Sequence, residues 1–154
     1  MAQYVATIDW SLTAEPEDFL KGRYSRAHTV AFDGGVTIPG SPSPSVVPVP
    51  WSDPSAVDPE ELLVAALSNC HMLTFLHKAR EAGYVVTAYR DEAKGVMRKT
   101  AEGKIALTRV TLRPEIAFKG AAPDAAALDA LHHAAHEDCF IASSVKTEVV
   151  VEAP

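Results

Sequence analysis

Near the start of the chain, apolar side chains recur at every second position, as they do in half-buried strands. This alternation covers residues 4–10 and predicts a first strand. Residues 24–32 and 36–38 flank the turn sequence DGG at residues 33–35, which predicts a hairpin. The charged segment at residues 15–18, between the first two strands, is interpreted as a turn.

A long helix is predicted in the middle of the chain, over residues 59–82. Asp58 suits the capping position, Pro59 suits the first helical position, and Glu61 completes a capping box with Asp58. After Pro59 no glycine or proline interrupts the segment before Gly83, which is a natural helix stop. The apolar residues cover more than one stripe of the helix surface, which predicts a central helix buried from several sides.

Prolines separate this helix from the strands before it. Seven of the eleven prolines lie in residues 39–59, which excludes regular helix or sheet there and favours an extended surface loop. Beyond the central helix a further helix opens at residues 123–124, and strands are predicted over residues 84–89, 92–98, 105–118 and 145–151. This order of elements predicts an α+β fold. The length of 154 residues suits a single domain over residues 1–154, with the proline-rich loop inside it.

Composition and charge narrow the class of protein. Lys and Arg number 14 against 20 Asp and Glu, a net charge of −6, and no basic run is present to neutralise phosphates, so nucleic acid is not an expected partner. The sequence shows no secretory signal and no apolar stretch of the roughly 18 residues that a membrane span needs. We therefore expect a cytoplasmic protein with no membrane partner. Its two cysteines are expected to pair only transiently, for chemistry.

Cys70 and Cys139 are the first candidates for chemistry, although a lone buried cysteine is most often a small apolar side chain. A metal site is the main alternative, because His132, His136 and Cys139 have a spacing that can present three ligands together. The chain has no CxxC pair, and His133 indicates that histidine here simply populates an exposed helix face. The residue pattern alone leaves packing, metal binding and thiol chemistry open.

Two segments resemble the signature segments of the OsmC/Ohr family, the osmotically inducible and organic hydroperoxide resistance proteins, which are thiol-dependent hydroperoxide reductases. The first segment is DPEELL at residues 58–63, with Cys70 ten residues after Glu60. The second is CFIASSVKTE at residues 139–148. The resemblance extends over nearly the whole chain in the order of its elements. It implies an intertwined homodimer in which antiparallel sheets pack around the long central helix that bears the first cysteine.

The resemblance implies a redox role for both cysteines. Cys70 is expected to attack the peroxide as a thiolate, and Cys139 is expected to resolve the resulting sulfenic acid as a disulfide. The implied substrate is an organic hydroperoxide, and the implied reductant is a dithiol such as a dihydrolipoyl protein. No metal or flavin cofactor is implied. The sulfenic acid must be captured before further oxidation makes the loss of the thiol irreversible.

The resemblance also implies an acidic residue that pairs with an arginine beside the thiols. Glu60 matches the acidic residue. Residues 39–58 contain no arginine, which leaves Arg23 or Arg26, and we choose Arg26 because it lies within a strand-like run. A thiol with a pKa of about 8.5 is only slightly ionised at neutral pH, so a nearby cation must favour the thiolate. A guanidinium can do this and also bind the peroxide oxygens.

Spacing along the helix predicts a site shared between subunits. Glu60 and Cys70 are ten residues apart, roughly 15 Å along one unbroken helix, which is too far for a common site. A symmetric homodimer resolves this if Arg26 and Glu60 of one subunit close over Cys70 and Cys139 of the other.

An apolar pocket is expected near Met72, Phe75 and Phe140. It would favour alkyl or lipid hydroperoxides over hydrogen peroxide, because burial of an alkyl chain contributes ~0.8 kcal/mol per CH₂. A non-enzymatic metal-binding or small-molecule-binding dimer of the same fold is the alternative function that the residue pattern leaves open.

Overall fold

In residues 1–152, which the computed structural model describes, eight strands and three α-helices give the mixed α+β class that the sequence predicts. In chain order they are β1 (Ala6–Asp9), α1 (Pro16–Leu20), β2 (His28–Phe32), β3 (Thr37–Gly40), α2 (Pro59–Glu81), β4 (Val85–Asp91), β5 (Lys94–Lys99), β6 (Ile105–Leu112), β7 (Pro114–Lys119), α3 (Ala125–Glu137) and β8 (Glu148–Val151). A short 3-10 turn, Ala142–Ser144, lies between α3 and β8.

Contacts divide the chain into two compact units, Met1–Leu62 and the described residues from Leu63 onward. The single domain over residues 1–154 stays a prediction, and residues 153 and 154 lie outside the described part.

The first unit is built on an antiparallel sheet in the order β1, β2, β3. The predicted hairpin is confirmed, because β2 and β3 pair across residues 33–35, where Gly35 takes a φ of +87° that suits glycine. The expectation of a plain turn at residues 15–18 is wrong, because α1 forms there. Pro16 in the first turn, together with the acidic Glu17 and Asp18, favours this short helix.

The proline-rich segment is a loop that hydrogen bonds hold in place. The end of β3 lies within it, so the expectation that residues 39–59 contain no regular strand is wrong at their start. Pro39 is tolerated because β3 is an edge strand. Farther along, the buried Ser41 accepts a hydrogen bond at its Oγ from the backbone of Asp53 at 2.8 Å. The N–H of Val57 donates to the carbonyl of Pro39 at 3.1 Å, which closes the loop just before α2.

Helix α2 begins and ends where the sequence predicts, within one residue. At its start the N–H of Glu61 donates to Asp58 Oδ1 at 2.7 Å, and the N–H of Asp58 donates to Glu61 Oε2 at 3.1 Å, which is the capping box. Just past its end Gly83 takes a φ of +83°. The buried side chains of α2 recur every four residues and form one row along the helix: Leu67, His71, Phe75 and Ala79.

The second unit packs two sheets and α3 against α2. Phe75 and Ala79 of α2 pack with Leu131 and Ala135 of α3, and apolar side chains of β4 and β7 surround this cluster. Leu67 packs instead in a second cluster, with apolar side chains of β6 and β8. The two clusters lie at different heights along the single buried row of α2, and Leu73 on the helix is 57% exposed, so burial of the central helix from several sides stays a prediction.

The strands of the second unit form two sheets, β4–β7 and β5–β6–β8. The pairs β4–β7 and β5–β6 are antiparallel as expected, whereas β8 joins β6 in parallel. The single strand predicted over residues 105–118 is two strands, because the chain changes sheet at Arg113, before Pro114. No helix within residues 1–152 is long and apolar enough to cross a membrane.

Candidate active site

The two cysteines meet in the second unit although they are far apart in the chain. Cys70 lies in the middle of α2 and is half-buried, whereas Cys139 follows α3 and is 1% exposed. Both are free thiols, and the thiol of Cys139 interacts with that of Cys70, which raises the pKa of Cys139. The fold therefore brings the two thiols next to one another.

Backbone hydrogen bonds hold Cys139 between α3 and the 3-10 turn. Its N–H donates to the carbonyl of His136 at 3.2 Å, and its carbonyl accepts from the N–H of Ser143 at 3.0 Å. Its sulfur accepts a hydrogen bond from the N–H of Ala142 at 3.4 Å. The position of this sulfur is thus set by the end of α3 and by the turn that follows.

The surroundings of Cys139 keep its thiol protonated at neutral pH. Burial raises the pKa of this thiol to about 11, and the interaction with Cys70 acts in the same direction. The N–H of Ala142 lowers the pKa, but its effect is smaller than that of burial. Cys70 is the more exposed of the two thiols.

Arg26 lies in the first unit, where backbone carbonyls and an aromatic ring hold it. Its Nη1 donates to the carbonyl of Tyr24 at 2.9 Å, and its guanidinium lies 3.9 Å from the centre of the Tyr24 ring. Its backbone N–H donates to the carbonyl of Trp51 at 3.1 Å. Arg23, the other candidate, forms an ion pair with Asp18 at 2.6 Å. Among the described residues Arg26 has no carboxylate partner, whereas Arg23 has one.

Glu60 lies half-buried in the first turn of α2. Within residues 1–152 it takes part in no ion pair, so the single chain does not join it to Arg26. The pairing of these two residues, and their action on the thiols, stay predictions.

The expectation that Phe75 lines a substrate pocket is wrong, because this side chain is fully buried in the cluster between α2 and α3. Exposed apolar side chains instead stand beside each cysteine in the chain. Leu73, three residues after Cys70 on the same helix side, is 57% exposed, and Phe140, directly after Cys139, is 82% exposed.

The spacing of His132, His136 and Cys139 does not bring these residues together as metal ligands. Within the described part of the chain, no group of three or more His, Cys, Asp and Glu side chains is placed to hold a metal ion. His132 is buried and bonded to α2, while Cys139 interacts with Cys70. His133 is exposed, as expected.

A buried pair of imidazole rings, His71 on α2 and His132 on α3, is not evident from the sequence pattern. Nε2 of His71 lies 3.1 Å from Nδ1 of His132, and the stacked rings have centroids 5.4 Å apart. The two residues are 1% and 4% exposed. Burial lowers the pKa of both imidazoles, that of His71 to about 4, to which His132 and His136 contribute. One signal is present in the sequence: His71 falls four residues after Leu67 and four before Phe75, within their buried row.

We expect acid to destabilise the protein through this pair. The folded pKa of His71, about 4, is below its ordinary value of 6.5, so the unfolded chain binds more protons between these two pH values. The stabilisation is therefore fully present above about pH 6.5 and is lost as the pH falls toward 4, by on the order of 2–3 kcal/mol from His71 alone. Urea unfolding at neutral pH and in mild acid measures this difference.

The control is the double variant His71→Leu with His132→Leu, which cannot take up these protons. Its free energy of unfolding should fall less over the same pH range. An equal fall in both proteins would contradict the assignment of the acid sensitivity to the imidazole pair.

One cysteine lies on a long helix, and the second is brought to it from beyond α3. These features define a dithiol protein with an α+β fold. The family model described as OsmC-like protein matches residues 52–153. This chain therefore belongs to the OsmC-like family, and the resemblance to OsmC/Ohr proteins is confirmed. No curated protein is similar enough to this chain to count as a match.

Solved structures share the fold over essentially the full chain. An OsmC-like protein of unknown function from Vibrio cholerae is 49% identical, with a TM-score of 0.94 and 100% of both chains covered. The organic hydroperoxide resistance protein OsmC from Legionella pneumophila is 18% identical, with a TM-score of 0.69 over 99% of this chain and 96% of that chain. OhrB of Bacillus subtilis, another organic hydroperoxide resistance protein, is 19% identical, with a TM-score of 0.67 over 99% and 98% of the two chains. At these lower identities the likeness shows the fold alone.

Proposed function

We propose that this protein reduces organic hydroperoxides with its two thiols. The thiolate of Cys70 attacks an oxygen of ROOH, the O–O bond breaks, and the leaving alkoxide takes a proton to become ROH. The sulfenic acid on Cys70 then reacts with the thiol of Cys139, which forms the disulfide and releases water. A dithiol, such as a dihydrolipoyl protein, reduces this disulfide by exchange and is itself oxidised. The reducing cytoplasm suits such a cycle.

The interaction between the two thiols carries this proposal. A sulfenic acid survives only briefly in the presence of peroxide, so a resolving thiol must already be close when it forms. The half-buried Cys70 is the thiol that a peroxide can reach, and Cys139 is shielded and protonated. These differences support attack by Cys70 and resolution by Cys139.

The exposed side chains beside the thiols support an organic rather than an inorganic peroxide. Leu73 and Phe140 can cover an alkyl or aryl group, and each buried CH₂ contributes ~0.8 kcal/mol. Hydrogen peroxide gains nothing from such a surface. Two proteins of the same fold, from Legionella pneumophila and Bacillus subtilis, are organic hydroperoxide resistance proteins, which agrees with this choice.

A homodimer that shares its active sites is part of the proposal. Helix α2 is unbroken over Pro59–Glu81, which leaves Glu60 and the first cysteine ten residues apart on one helix. In the first unit, apolar side chains such as Ile8 and Leu20 are 61% and 84% exposed, and exposed apolar surface of this kind is commonly covered by a partner. Arg26 and Glu60 of one subunit would then serve the thiols of the other.

Replacing Arg26 by glutamine is expected to lower kcat/KM for an organic hydroperoxide by about 10- to 100-fold. The reason is the loss of charge-assisted hydrogen bonds to the thiolate and the peroxide, worth roughly 1.5–3 kcal/mol. Arg23→Gln is the matched control, because Arg23 is engaged by Asp18 on the surface, and it should change kcat/KM by less than about twofold. The reverse order of the two effects would show that Arg23 is the active-site cation.

The proposed function is tested by following the consumption of cumene hydroperoxide in the presence of dithiothreitol. We expect turnover, with a kcat/KM at least about tenfold above that for hydrogen peroxide, because the cumyl group packs on apolar side chains. Glutathione, a monothiol, should support slower turnover than dithiothreitol. Equal rates with the two peroxides would remove the basis for an organic substrate, and no consumption of either would contradict the function itself.

A further inference from the structure

The imidazole pair of His71 and His132 is costly for the fold, and the proposed chemistry does not use it. A single hydrogen bond joins the two rings, while Nδ1 of His71 and Nε2 of His132 are buried without a protein partner. A buried polar atom left unpaired costs roughly 1–3 kcal/mol. Two apolar side chains of similar volume would leave no polar atom unpaired, so we expect their effect on stability to be neutral or favourable. A contact that costs stability is a candidate for another role.

The pair joins the two chain segments that carry the thiols. His71 directly follows Cys70 on α2. On the other side, α3 continues with helical hydrogen bonds from His132 to its end, and the N–H of Cys139 donates to the carbonyl of His136 at 3.2 Å. A displacement of His132 is therefore transmitted along a rigid helix to Cys139.

We propose that His71 and His132 are positioning residues whose hydrogen bond holds the end of α3 against α2, so that the thiols of Cys70 and Cys139 meet. The bond thereby sets how readily these two thiols form a disulfide. Its role in the peroxide cycle rests on the proposed function, whereas its effect on the disulfide equilibrium does not.

Other contacts between α2 and the end of α3 are less able to fix the position of α3 along α2. Lys78 Nζ lies 2.5 Å from Asp138 Oδ2, but the Asp138 side chain is 58% exposed, so water and salt weaken the pair. Phe75 packs with Leu131 through apolar contacts, which have no preferred direction and allow the helices to slide. The buried hydrogen bond has both a fixed length and a fixed direction.

The test is the exchange equilibrium between the protein and glutathione at neutral pH. In it, the protein dithiol and one oxidised glutathione give the protein disulfide and two reduced glutathiones. The double variant His71→Leu with His132→Leu is expected to lower this equilibrium constant by about tenfold, which corresponds to about 30 mV. Its free energy of unfolding should be equal to or above that of the wild type, so unfolding would not account for the change.

Two further variants separate positioning from packing. In His132→Asn the side-chain amide lies where Nδ1 stood, so the equilibrium constant should return to within about threefold of the wild type. Leu131→Val loosens the neighbouring core without touching the imidazoles, and it should leave the equilibrium constant within about twofold. Lys78→Met should likewise leave the equilibrium constant within about twofold, because it removes only the exposed ion pair.

An unchanged equilibrium constant in the double leucine variant would overturn the proposal, and so would an equal loss in Leu131→Val. The equilibrium involves no peroxide, so it is independent of the proposed function. A wild type that consumes no peroxide while its variants shift as expected would reject the function and keep the positioning role. A wild type that consumes peroxide while its variants leave the equilibrium constant unchanged would keep the function and reject the positioning role.

Discussion

Replacing Cys70 by serine is expected to lower the rate of cumene hydroperoxide consumption by at least about a thousandfold, as the loss of a catalytic nucleophile does. A serine hydroxyl is not ionised at neutral pH, so it offers no anion to attack the O–O bond. The side chain is half-buried, and an oxygen fits where the larger sulfur stood, so the fold should persist. Initial rates with dithiothreitol measure the effect, and urea unfolding checks the fold.

A Cys70→Ser variant that keeps turnover within about tenfold of the wild type would assign the attack to another group. Cys139 would then be the first alternative, although its burial speaks against it. Loss of turnover together with loss of the folded state would call for Cys70→Ala, which should be inactive and folded.

Replacing Cys139 by serine is expected to leave the first reaction with peroxide intact and to destroy repeated turnover. Without a resolving thiol the Cys70 sulfenic acid persists, and excess hydroperoxide oxidises it to the sulfinic acid, which thiols do not reverse. Progress curves should therefore bend to zero after a few turnovers. Intact-mass measurement should find two added oxygen atoms on the inactivated protein. Linear progress curves at the wild-type rate would contradict a resolving role for Cys139.

Local signals account for the parts of the fold that the sequence predicts well. The limits of α2 depend on the capping box of Asp58 and Glu61 and on the stop at Gly83, which all act within a few residues. The hairpin of β2 and β3 depends on three turn residues. Neither feature needs information about distant parts of the chain.

Two elements of secondary structure are predicted wrongly because their sequence patterns are too short or run on without a break. Helix α1 has five residues, too few to show a helical period, so only Pro16 and its acidic first turn mark it. The alternation of β6 runs on into β7, and the change of sheet at Arg113 is marked by Pro114 alone. A proline within a strand pattern is a signal for such a break.

The parts of the site that depend on distant contacts are beyond the sequence pattern. The partners in the imidazole pair are 61 residues apart, and nothing in α3 alone says which element His132 faces. The heptad-like spacing of His132, His136 and Cys139 even favours a metal site that the described residues do not form. The meeting of Cys70 with Cys139 follows from family resemblance, and its geometry requires the packed helices.

The most direct measurement adds one equivalent of cumene hydroperoxide to the fully reduced protein, with no reductant, and maps the peptides without reduction. We expect one cumyl alcohol per chain and a disulfide that links Cys70 to Cys139, with both free thiols lost together. Unconsumed hydroperoxide with two titratable thiols would contradict the account, as would a product in which Cys70 is oxidised while Cys139 stays a free thiol.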